Sequence, residues 1–357
     1  MKKLIACLVL SFTVCSCSQA SQSGFEFKYW NECDSLTVLK DFVSASVDEK
    51  NKNFISKKDR LAVFDMDGTL YGELYPTYLE YVMYQYRVLD DVNYKDKATD
   101  EQILLANEIK NGIMKDKDGH DVPTAGNSFP AGTDMRHARL AAQAYSGMTI
   151  KEFNDYAAEF LKKEVPLFNN MTYANAFYKP MKEVVTYLQE NDYNVYVVSG
   201  SDRFLCRVLC CDYLNIAPDH IIGMDVKLKA THQGDEEGVN YTFQTDDDVI
   251  RTDEVLVKNL KFNKVAQITQ EIGQQPVLSF GNSGGDQAMH IFTITDNPHP
   301  SAAFMLVADD AERDYAVLEK TKDLPKKWSD LGFNVISMKN DFKTIYGENV
   351  IKKPVVA

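Results

Sequence analysis

The stretch that most constrains this chain is residues 61–70, which read LAVFDMDGTL. Its first four residues are apolar, and a run of this kind is typical of a strand buried inside a sheet. Asp65 and Asp67 follow directly, and Gly68 permits a turn that brings the second carboxylate back beside the first. The sequence therefore predicts a buried strand that ends in a pair of acidic groups.

Two carboxylates at one site repel each other unless a cation lies between them or one of them is protonated. Either arrangement suits phosphoryl transfer, which can use a nucleophilic carboxylate, a proton carrier and a hard metal ion. The alternative is that Asp67 and Gly68 form a plain surface turn. The apolar run argues against it, because that run places the acids at the end of a buried strand.

The composition limits the class of partner. A chain of 357 residues with 45% hydrophobic content can form one large α/β domain with an insertion. The net charge of −13 offers no clustered basic surface for a nucleic-acid backbone, so we predict no nucleic-acid partner. A small phosphorylated substrate is compatible with this charge where a local basic group offsets it.

The N-terminus, residues 1–17, reads as a processing signal, because a short basic segment precedes an apolar run too short to span a bilayer. Residues 14–17 (VCSC) resemble a bacterial lipobox, which would leave a lipid on Cys17. We therefore predict an exported protein, periplasmic or an outer-membrane lipoprotein of a Gram-negative-type bacterium, that touches the membrane only through this lipid. The alternative is ordinary cleavage nearby and release.

The rest of the chain divides by its periodicity. Residues 18–70 are predicted to hold a tether up to about residue 30, an N-terminal helix and the first core strand. Residues 71–178 show helical spacing and are predicted to form an inserted cap. In residues 179–357, strands and helices alternate around a β-rich insertion at about 220–262. This alternation predicts a doubly wound parallel sheet, with ligands at the carboxyl ends of its strands.

The individual elements follow from the same spacing. The predicted helices are 35–47, 78–90, 100–113, 135–145, 150–164, 180–190, 202–211 and 264–272. The predicted strands are 61–64, 194–198, 277–280, 303–307 and 334–337.

Two later strands also end in polar residues. The apolar residues 195–198 run into Ser199, Gly200 and Ser201 just before a helix, where amide groups and a hydroxyl can bind an anion. The alternative is a serine cap that serves only the helix. Residues 276–280 run into 281–286 (GNSGGD), whose oxygen-bearing side chains suit Mg²⁺ or a structural turn.

Lys264 begins an amphipathic helix, and a lysine at a helix start is electrostatically unfavourable. This position indicates an acidic partner elsewhere in the fold. Solvent exposure is the alternative, and Lys258 or Lys261 can fill the same role.

Residues 65–69 (DMDGT), Ser199, Lys264 and residues 281–286 resemble the four motifs of the haloacid dehalogenase superfamily of phosphohydrolases. The helical cap after the first motif is similar to that of its phosphoserine phosphatase-like branch. The resemblance covers roughly residues 60–315. Shorter phrases look like those of exported bacterial hydrolases akin to phosphorylcholine phosphatase; they are residues 61–73, 178–181, 197–200, 280–286 and 311–314.

The resemblance implies a role for each motif residue. Asp65 would attack phosphorus to form an aspartyl-phosphate, while Asp67 would protonate the leaving oxygen and later activate water. Thr69, Ser199 and the backbone at Gly200 would bind phosphoryl oxygens of the substrate.

The same resemblance implies a Mg²⁺ site beside a cationic residue. Lys264 would neutralise developing charge, and Mg²⁺ would be held by the Asp65 carboxylate, the Asp67 main-chain carbonyl and the last motif, Asn282 and Asp286. The family usually has an acid where this chain has Asn282. An amide oxygen still binds Mg²⁺ but brings no charge, so either the affinity falls or Asp286 binds the ion directly.

Residues in and near the cap are candidates for recognition of the rest of the substrate. Glu73, where the chain enters the cap, is predicted to bind a substrate amine or a choline-like cation, or else to cap the next helix. Arg136, His137 and Arg139 can bind a second anionic group. A set of tyrosines forms either an aromatic surface for a cation or the core of the cap; they are Tyr71, Tyr75, Tyr78, Tyr81, Tyr84 and Tyr86.

Together these features predict an exported, Mg²⁺-dependent phosphomonoester hydrolase that acts on a small phosphorylated metabolite. One alternative is another reaction of the same superfamily, such as phosphotransfer or phosphonate cleavage. The other is an exported phospho-ligand binding or surface interaction protein with a vestigial site.

Overall fold

The computed structural model describes residues 24–74 and 76–354. The strands in chain order are β1 (Leu61–Phe64), β2 (Ile113–Lys115), β3 (Asp121–Pro123), β4 (Phe168–Asn169), β5 (Asn194–Asp202), β6 (Ile221–Ala230), β7 (Val249–Val257), β8 (Leu278–Gly281), β9 (Ala302–Val307), β10 (Asn334–Ser337) and β11 (Ile351–Lys352).

The α-helices of the same residues are α1 (Asp34–Val47), α2 (Leu79–Leu89), α3 (Asp100–Asn111), α4 (Thr133–Ala144), α5 (Ile150–Leu161), α6 (Lys179–Glu190), α7 (Arg203–Leu214), α8 (Phe262–Gln267), α9 (Gln287–Ile294), α10 (Leu318–Thr321), α11 (Leu324–Asp330) and α12 (Met338–Asp341). A π-helical turn, Ile268–Ile272, continues α8. The predicted helices are therefore present, with ends that shift by a few residues.

The central sheet has seven strands in the order β10-β9-β8-β1-β5-β6-β7. Every neighbouring pair is parallel except the last, β6 with β7. This confirms the predicted α/β class with a mostly parallel sheet. Strand β1 lies between β5 and β8, which is where the chain changes direction across the sheet, and ligands bind at such a switch point.

The register of the sheet brings three strand ends to one level. Phe64, the last residue of β1, is aligned with Val197 on β5 and with Phe280 on β8. Asp65, the polar end of β5 and the loop after β8 therefore meet at the same edge.

Aromatic stacking holds this part of the sheet together. The ring of Phe64 lies 4.2 Å from that of Phe280, which lies 4.9 Å from that of Phe304. All three are buried, and the same apolar cluster continues into the cap through Leu70 and Tyr84. The cap and the sheet thus share one continuous core.

The cap contains α2 to α5 and the short hairpin β2–β3. The segment that enters the cap lies beside the segment that leaves it. The amide of Gly72 donates to the carbonyl of Ala176, and the amide of Tyr178 donates to that of Leu70, both at 2.9 Å. These paired crossings hold the beginning of the cap directly above Asp65 and Asp67.

Two segments differ from the sequence prediction. The insertion predicted at 220–262 contains a core strand, because β6 pairs in parallel with β5 through Ile221 and Val197. The end of the predicted tether is folded, since Phe25 and Phe27 pack on Tyr187. The hairpin β2–β3 and the pair β4–β11 also escaped prediction, because strands of two or three residues leave no periodicity to read.

The predicted leader and Cys17 lie outside the described residues. Across residues 24–74 and 76–354, none of the helices combines the length and apolar character that crossing a membrane requires.

Candidate active site

A cavity of about 280 Å³ lies at the carboxyl edge of the sheet, beneath the cap. Its sheet-side wall contains Asp65, Asp67, Lys264, Asn282 and Asp286. The structure thus brings together residues from three of the predicted motifs, at the loops that follow β1 and β8 and at the start of α8.

Asp65 is held at the end of its strand with one oxygen occupied. Its amide donates to the carbonyl of Phe280 at 2.9 Å, and Oδ1 accepts a hydrogen bond from Lys264 Nζ at 2.5 Å. The hydroxyl of Thr69 lies 3.5 Å from Oδ2. Burial and the nearby carboxylate of Asp286 raise the pKa of Asp65 to about 7, although Lys264 opposes the shift. Oδ2 therefore has only a long contact and is the oxygen suited to attack.

Lys264 lies between two acids and is 1% exposed. Its Nζ donates to Asp65 Oδ1 and, at 2.7 Å, to Asp286 Oδ1. Burial by itself lowers the pKa of the lysine, but the two carboxylates outweigh it and raise the pKa above its ordinary value. The structure thus places Lys264, and not Lys258 or Lys261, between these acids as a permanent cation.

Both carboxylate oxygens of Asp286 accept hydrogen bonds. Its Oδ2 accepts from the amides of Asn282 and Ser283 and from the Ser283 hydroxyl, at 3.0–3.1 Å, while Lys264 occupies Oδ1. Burial favours a raised pKa, but Lys264 and these donors hold the pKa of Asp286 below its ordinary value. Three of these donors act on Oδ2, whereas Oδ1 accepts only from Lys264 and keeps a second lone pair. Asp286 thus supports the loop and Lys264, and its role as a direct metal ligand stays a prediction.

Asp67 has the environment of a proton carrier. Its Oδ2 accepts a hydrogen bond from Ser201 Oγ at 2.7 Å, and its Oδ1 is buried without a partner among the described residues. Burial raises the pKa of Asp67 to about 7, although the Ser201 hydroxyl opposes the shift. The carboxyl can therefore gain or lose a proton near neutral pH.

The two hydroxyls predicted to bind phosphate are buried, and neither residue lines the cavity. Ser199 is completely buried, and its Oγ accepts from the amide of Ser201 at 3.0 Å. Thr69 is also completely buried. At this strand end, Gly200 and Ser201 line the cavity. The pairing of β5 with β6 shifts register between Val198 and Asp202, and such a shift changes where side chains point.

Glu73 lies next to the cavity that contains Asp65 but does not line it. It lines a neighbouring cavity of about 80 Å³, together with Tyr178 and Asp314. Its Oε1 accepts a hydrogen bond from Asn282 Nδ2 at 2.7 Å. Burial raises the pKa of Glu73 to about 7, with the Asn282 amide opposing the shift. Its side-chain contact is thus with the last motif, and its role in substrate binding stays a prediction.

Gly68 is required by this contact. Its φ is +79°, and a Cβ there would lie 1.9 Å from Asn282 Nδ2 and 2.6 Å from Glu73 Oε1. We expect Gly68→Ala to lower the free energy of unfolding by about 1–3 kcal/mol, because it adds both backbone strain and a steric overlap. Urea denaturation measures this loss.

Gly147 provides the matched control for that substitution. Its φ is +83°, but a Cβ there would meet no atom within 4 Å. Gly147→Ala therefore carries the backbone strain alone, about 1–2 kcal/mol. Equal losses in the two variants would show that the space above Gly68 is not crowded.

The cap supplies an aromatic wall. Tyr78, Tyr81 and Phe129 line the cavity, and the ring of Tyr81 stacks on that of Phe129 at 5.1 Å. The Tyr81 hydroxyl donates to Asp134 Oδ1 at 3.0 Å. Two of the six predicted tyrosines thus reach the cavity. Tyr71 and Tyr84 are buried in the core, Tyr86 packs on Phe160, and Tyr75 lies outside the described residues.

A buried ion pair between cap and core was not predicted. Lys258 Nζ donates to Glu80 Oε1 at 2.7 Å, and both residues line the cavity. Glu80 Oε2 accepts from the amide of Asp202, whose carboxylate is paired with Arg251. Glu80 and Lys258 are 178 residues apart, so no spacing in the sequence indicates their contact.

The basic residues predicted to bind a second anion lie elsewhere. Arg136 donates to Glu108 and Arg139 donates to Glu101, and neither arginine lines the cavity. His137 is buried and stacks on Tyr81, with ring centroids 3.7 Å apart. These cap residues therefore have structural partners.

Comparison with known proteins gives one match in sequence. No protein-family model matches the chain. Over 195 residues it is 26% identical to the phosphorylcholine phosphatase of Pseudomonas aeruginosa, a match that covers 50% of this chain and 53% of that protein. The chain is therefore similar in sequence, over half of its length, to a protein named as a phosphatase. The match spans about half the length of the curated relative.

The comparison with solved structures includes one with a similar overall fold. A functionally unknown protein from Anaerococcus prevotii DSM 20548 superposes with a TM-score of 0.52 and 16% identity, over 90% of this chain and 98% of that one. A substrate-bound phosphoserine phosphatase gives a TM-score of 0.37 and 13% identity, over 76% and 99% of the two chains. The first likeness covers most of both chains and concerns the fold alone.

Proposed function

We propose that this protein is a Mg²⁺-dependent phosphomonoester hydrolase that works through an aspartyl-phosphate on Asp65. One observation supports the proposal above all others. Asp65 lies in a cavity with one oxygen held by a buried lysine and the other left for attack. Asp67, in the same cavity, has a pKa suited to proton transfer.

The reaction divides between the two acids. Asp65 Oδ2 attacks phosphorus, the bond from phosphorus to the leaving oxygen breaks, and Asp67 donates its proton to that oxygen. Asp67 then takes a proton from water, which attacks the phosphorus of the aspartyl-phosphate and releases phosphate and free Asp65. The Ser201 hydroxyl holds Asp67 in place, and Lys264 keeps the Asp65 carboxylate oriented.

The residues present fit a Mg²⁺ ion. The Asp65 carboxylate, the Asp67 main-chain carbonyl and the Asn282 amide oxygen are hard donors of the kind that Mg²⁺ prefers. The buried Oδ1 of Asp67 has no hydrogen-bond partner among the described residues, which supports the presence of a further group at this site. When bound, Mg²⁺ would neutralise part of this charge and let an anionic phosphate approach the carboxylates.

The substrate that we propose is a small phosphorylated metabolite with a cationic leaving group. Tyr78, Tyr81 and Phe129 line the cavity that contains Asp65, and aromatic faces attract cations. The carboxylate of Asp134 on the same wall adds negative charge. The name of the curated relative, a phosphorylcholine phosphatase, is consistent with a group of this kind.

We also propose that the protein is exported and lipid-anchored through Cys17, as its leader predicts. The support is the sequence of residues 1–17 alone.

Removal of the metal tests the proposed enzyme. We expect EDTA to lower hydrolysis of a generic phosphomonoester by about 10²-fold or more, since a bound metal ion stabilises transition-state charge by several kcal/mol. Addition of excess Mg²⁺ should restore the rate. Turnover that is the same with Mg²⁺ and with EDTA would contradict the proposal. A screen of phosphorylated metabolites, including phosphocholine and phosphoserine, then identifies the substrate.

A further inference from the structure

The contact between Glu73 and Asn282 joins two loops that are far apart in the chain. Glu73 lies where the chain enters the cap, and Asn282 lies in the loop after β8, 209 residues later. Their side chains meet at 2.7 Å, with Asn282 Nδ2 as donor and Glu73 Oε1 as acceptor. Both residues are partly buried. The contact therefore has a defined direction and is shielded from bulk solvent.

The direction of this hydrogen bond determines where the amide oxygen of Asn282 points. Asn282 turns its NH₂ group towards Glu73, because Nδ2 is the donor in this contact. Since the amide is planar, its Oδ1 lies on the other side. Asn282 lines the same cavity as Asp65, whereas Glu73 lines the neighbouring one. The oxygen of Asn282, and not that of Glu73, is thus the one available in the catalytic cavity.

Other elements hold the pair in position. Asp286 Oδ2 accepts a hydrogen bond from the backbone amide of Asn282 at 3.1 Å. The amide of Glu73 donates to the Tyr178 hydroxyl at 3.4 Å. Gly68 leaves a space that both side chains fill, because any Cβ there would overlap them. The arrangement is therefore set by the first motif, by the last motif and by the chain that leaves the cap.

The pair also places a carboxylate beside the neutral side chain of Asn282. Asn282 is neutral, and the carboxylate of Asp286 in the same loop is paired with Lys264 and with three donors of its own loop. Glu73 supplies a carboxylate in direct contact with Asn282. Partners that hydrogen-bond to metal ligands orient those ligands and tune metal affinity.

We propose that Glu73 is a positioning residue of the metal site: it orients the amide of Asn282 towards the ion and supplies the negative charge that Asn282 lacks. This role rests on the proposed Mg²⁺ site, and it replaces the substrate-binding role expected from the sequence. Asn282 then supplies the ligand oxygen and Glu73 supplies the negative charge, which a single acidic ligand would provide together.

Calorimetric titration of Mg²⁺ alone into the metal-stripped protein tests this role without an activity assay. We expect Glu73→Gln to weaken Mg²⁺ binding about 10–100-fold, the usual cost of losing such a partner. Glu183→Gln is the matched control, because Glu183 is a half-buried carboxylate that accepts two backbone hydrogen bonds away from the cavity. Its Mg²⁺ affinity should equal that of the wild type.

A charge swap sharpens the test. The double variant Glu73→Gln with Asn282→Asp places the carboxylate on the ligand and the amide behind it. We expect it to bind Mg²⁺ at least about tenfold tighter than Glu73→Gln alone, within the range of the original loss. If Glu73→Gln fails to fold, Glu73→Asp decides, since its shorter side chain withdraws the carboxylate from Asn282 and must also weaken binding.

Unchanged Mg²⁺ affinity in folded Glu73→Gln or Glu73→Asp would overturn the proposal, as would a double variant no better than the single one. A raised KM for amine-bearing substrates with intact Mg²⁺ affinity would overturn it in favour of substrate binding. If the wild type binds Mg²⁺ and the variants change the affinity as expected, but the wild type hydrolyses no phosphomonoester, the role of Glu73 is supported and the proposed enzyme is contradicted. A wild type that binds no Mg²⁺ removes both.

Discussion

Asp65→Asn is expected to lower the turnover of a phosphomonoester by at least about 10⁴-fold, because it replaces the attacking carboxylate with a much weaker nucleophile. The amide is nearly isosteric, and its oxygen can still accept the hydrogen bond from Lys264. The protein should therefore remain folded. Steady-state kinetics with saturating Mg²⁺, beside thermal unfolding of the same preparation, measures both effects.

Substitutions of two other aspartates provide comparisons for the loss of turnover in Asp65→Asn. Asp67→Asn removes the proton carrier but leaves the nucleophile, so a smaller loss of about 10²–10⁴-fold is expected. Asp341→Asn alters a half-buried carboxylate that accepts from Ser35 and Ser337 outside the cavity, and it should leave turnover unchanged. Full activity in Asp65→Asn would eliminate the covalent mechanism. Binding of phosphate compounds without turnover by the wild type would instead favour the alternative of a vestigial binding site.

Lys264→Met is expected to lower both stability and activity. It leaves the carboxylates of Asp65 and Asp286 buried without the cation that lies between them. Removing one partner of a buried ion pair costs about 3–5 kcal/mol, which urea denaturation in EDTA measures. Loss of the positive charge beside the attacking group should also lower turnover by about 10²–10³-fold.

Addition of Mg²⁺ separates Lys264 from a merely structural lysine. The ion would bind next to Asp65, so it should return part of the stability lost in Lys264→Met. Lys258→Met is the comparison, because Lys258 is also buried but pairs with Glu80 on the cap. Mg²⁺ should raise the stability of Lys258→Met by no more than it raises the stability of the wild type. A loss below about 1 kcal/mol in Lys264→Met, the range of a surface ion pair, would contradict the buried arrangement.

The spacing of apolar residues was sufficient to predict the long helices and the buried strands. Strand β1 and the cap helices bury continuous apolar faces, and burial of this kind leaves a repeat in the sequence. The acids after β1 and the loop after β8 were located by a rule of the architecture, since parallel strands end at one edge. The folded segment at Phe25 and Phe27 was mistaken for a tether, because its contact with Tyr187 is distant in sequence.

The sequence by itself thus determined the parallel sheet, the position of Asp65 and Asp67 at a strand end and the class of chemistry that they suit. The tertiary structure alone decided which serine reaches the cavity, because a register shift in β5 re-aims the side chains after Val198. It also decided the partners of Lys264 and Glu73. Lys264 contacts Asp65 across a separation of 199 positions, and Glu73 contacts Asn282 across a separation of 209. The physical reason is that hydrogen bonds between distant loops depend on packing in three dimensions, and such packing imposes no period on the chain.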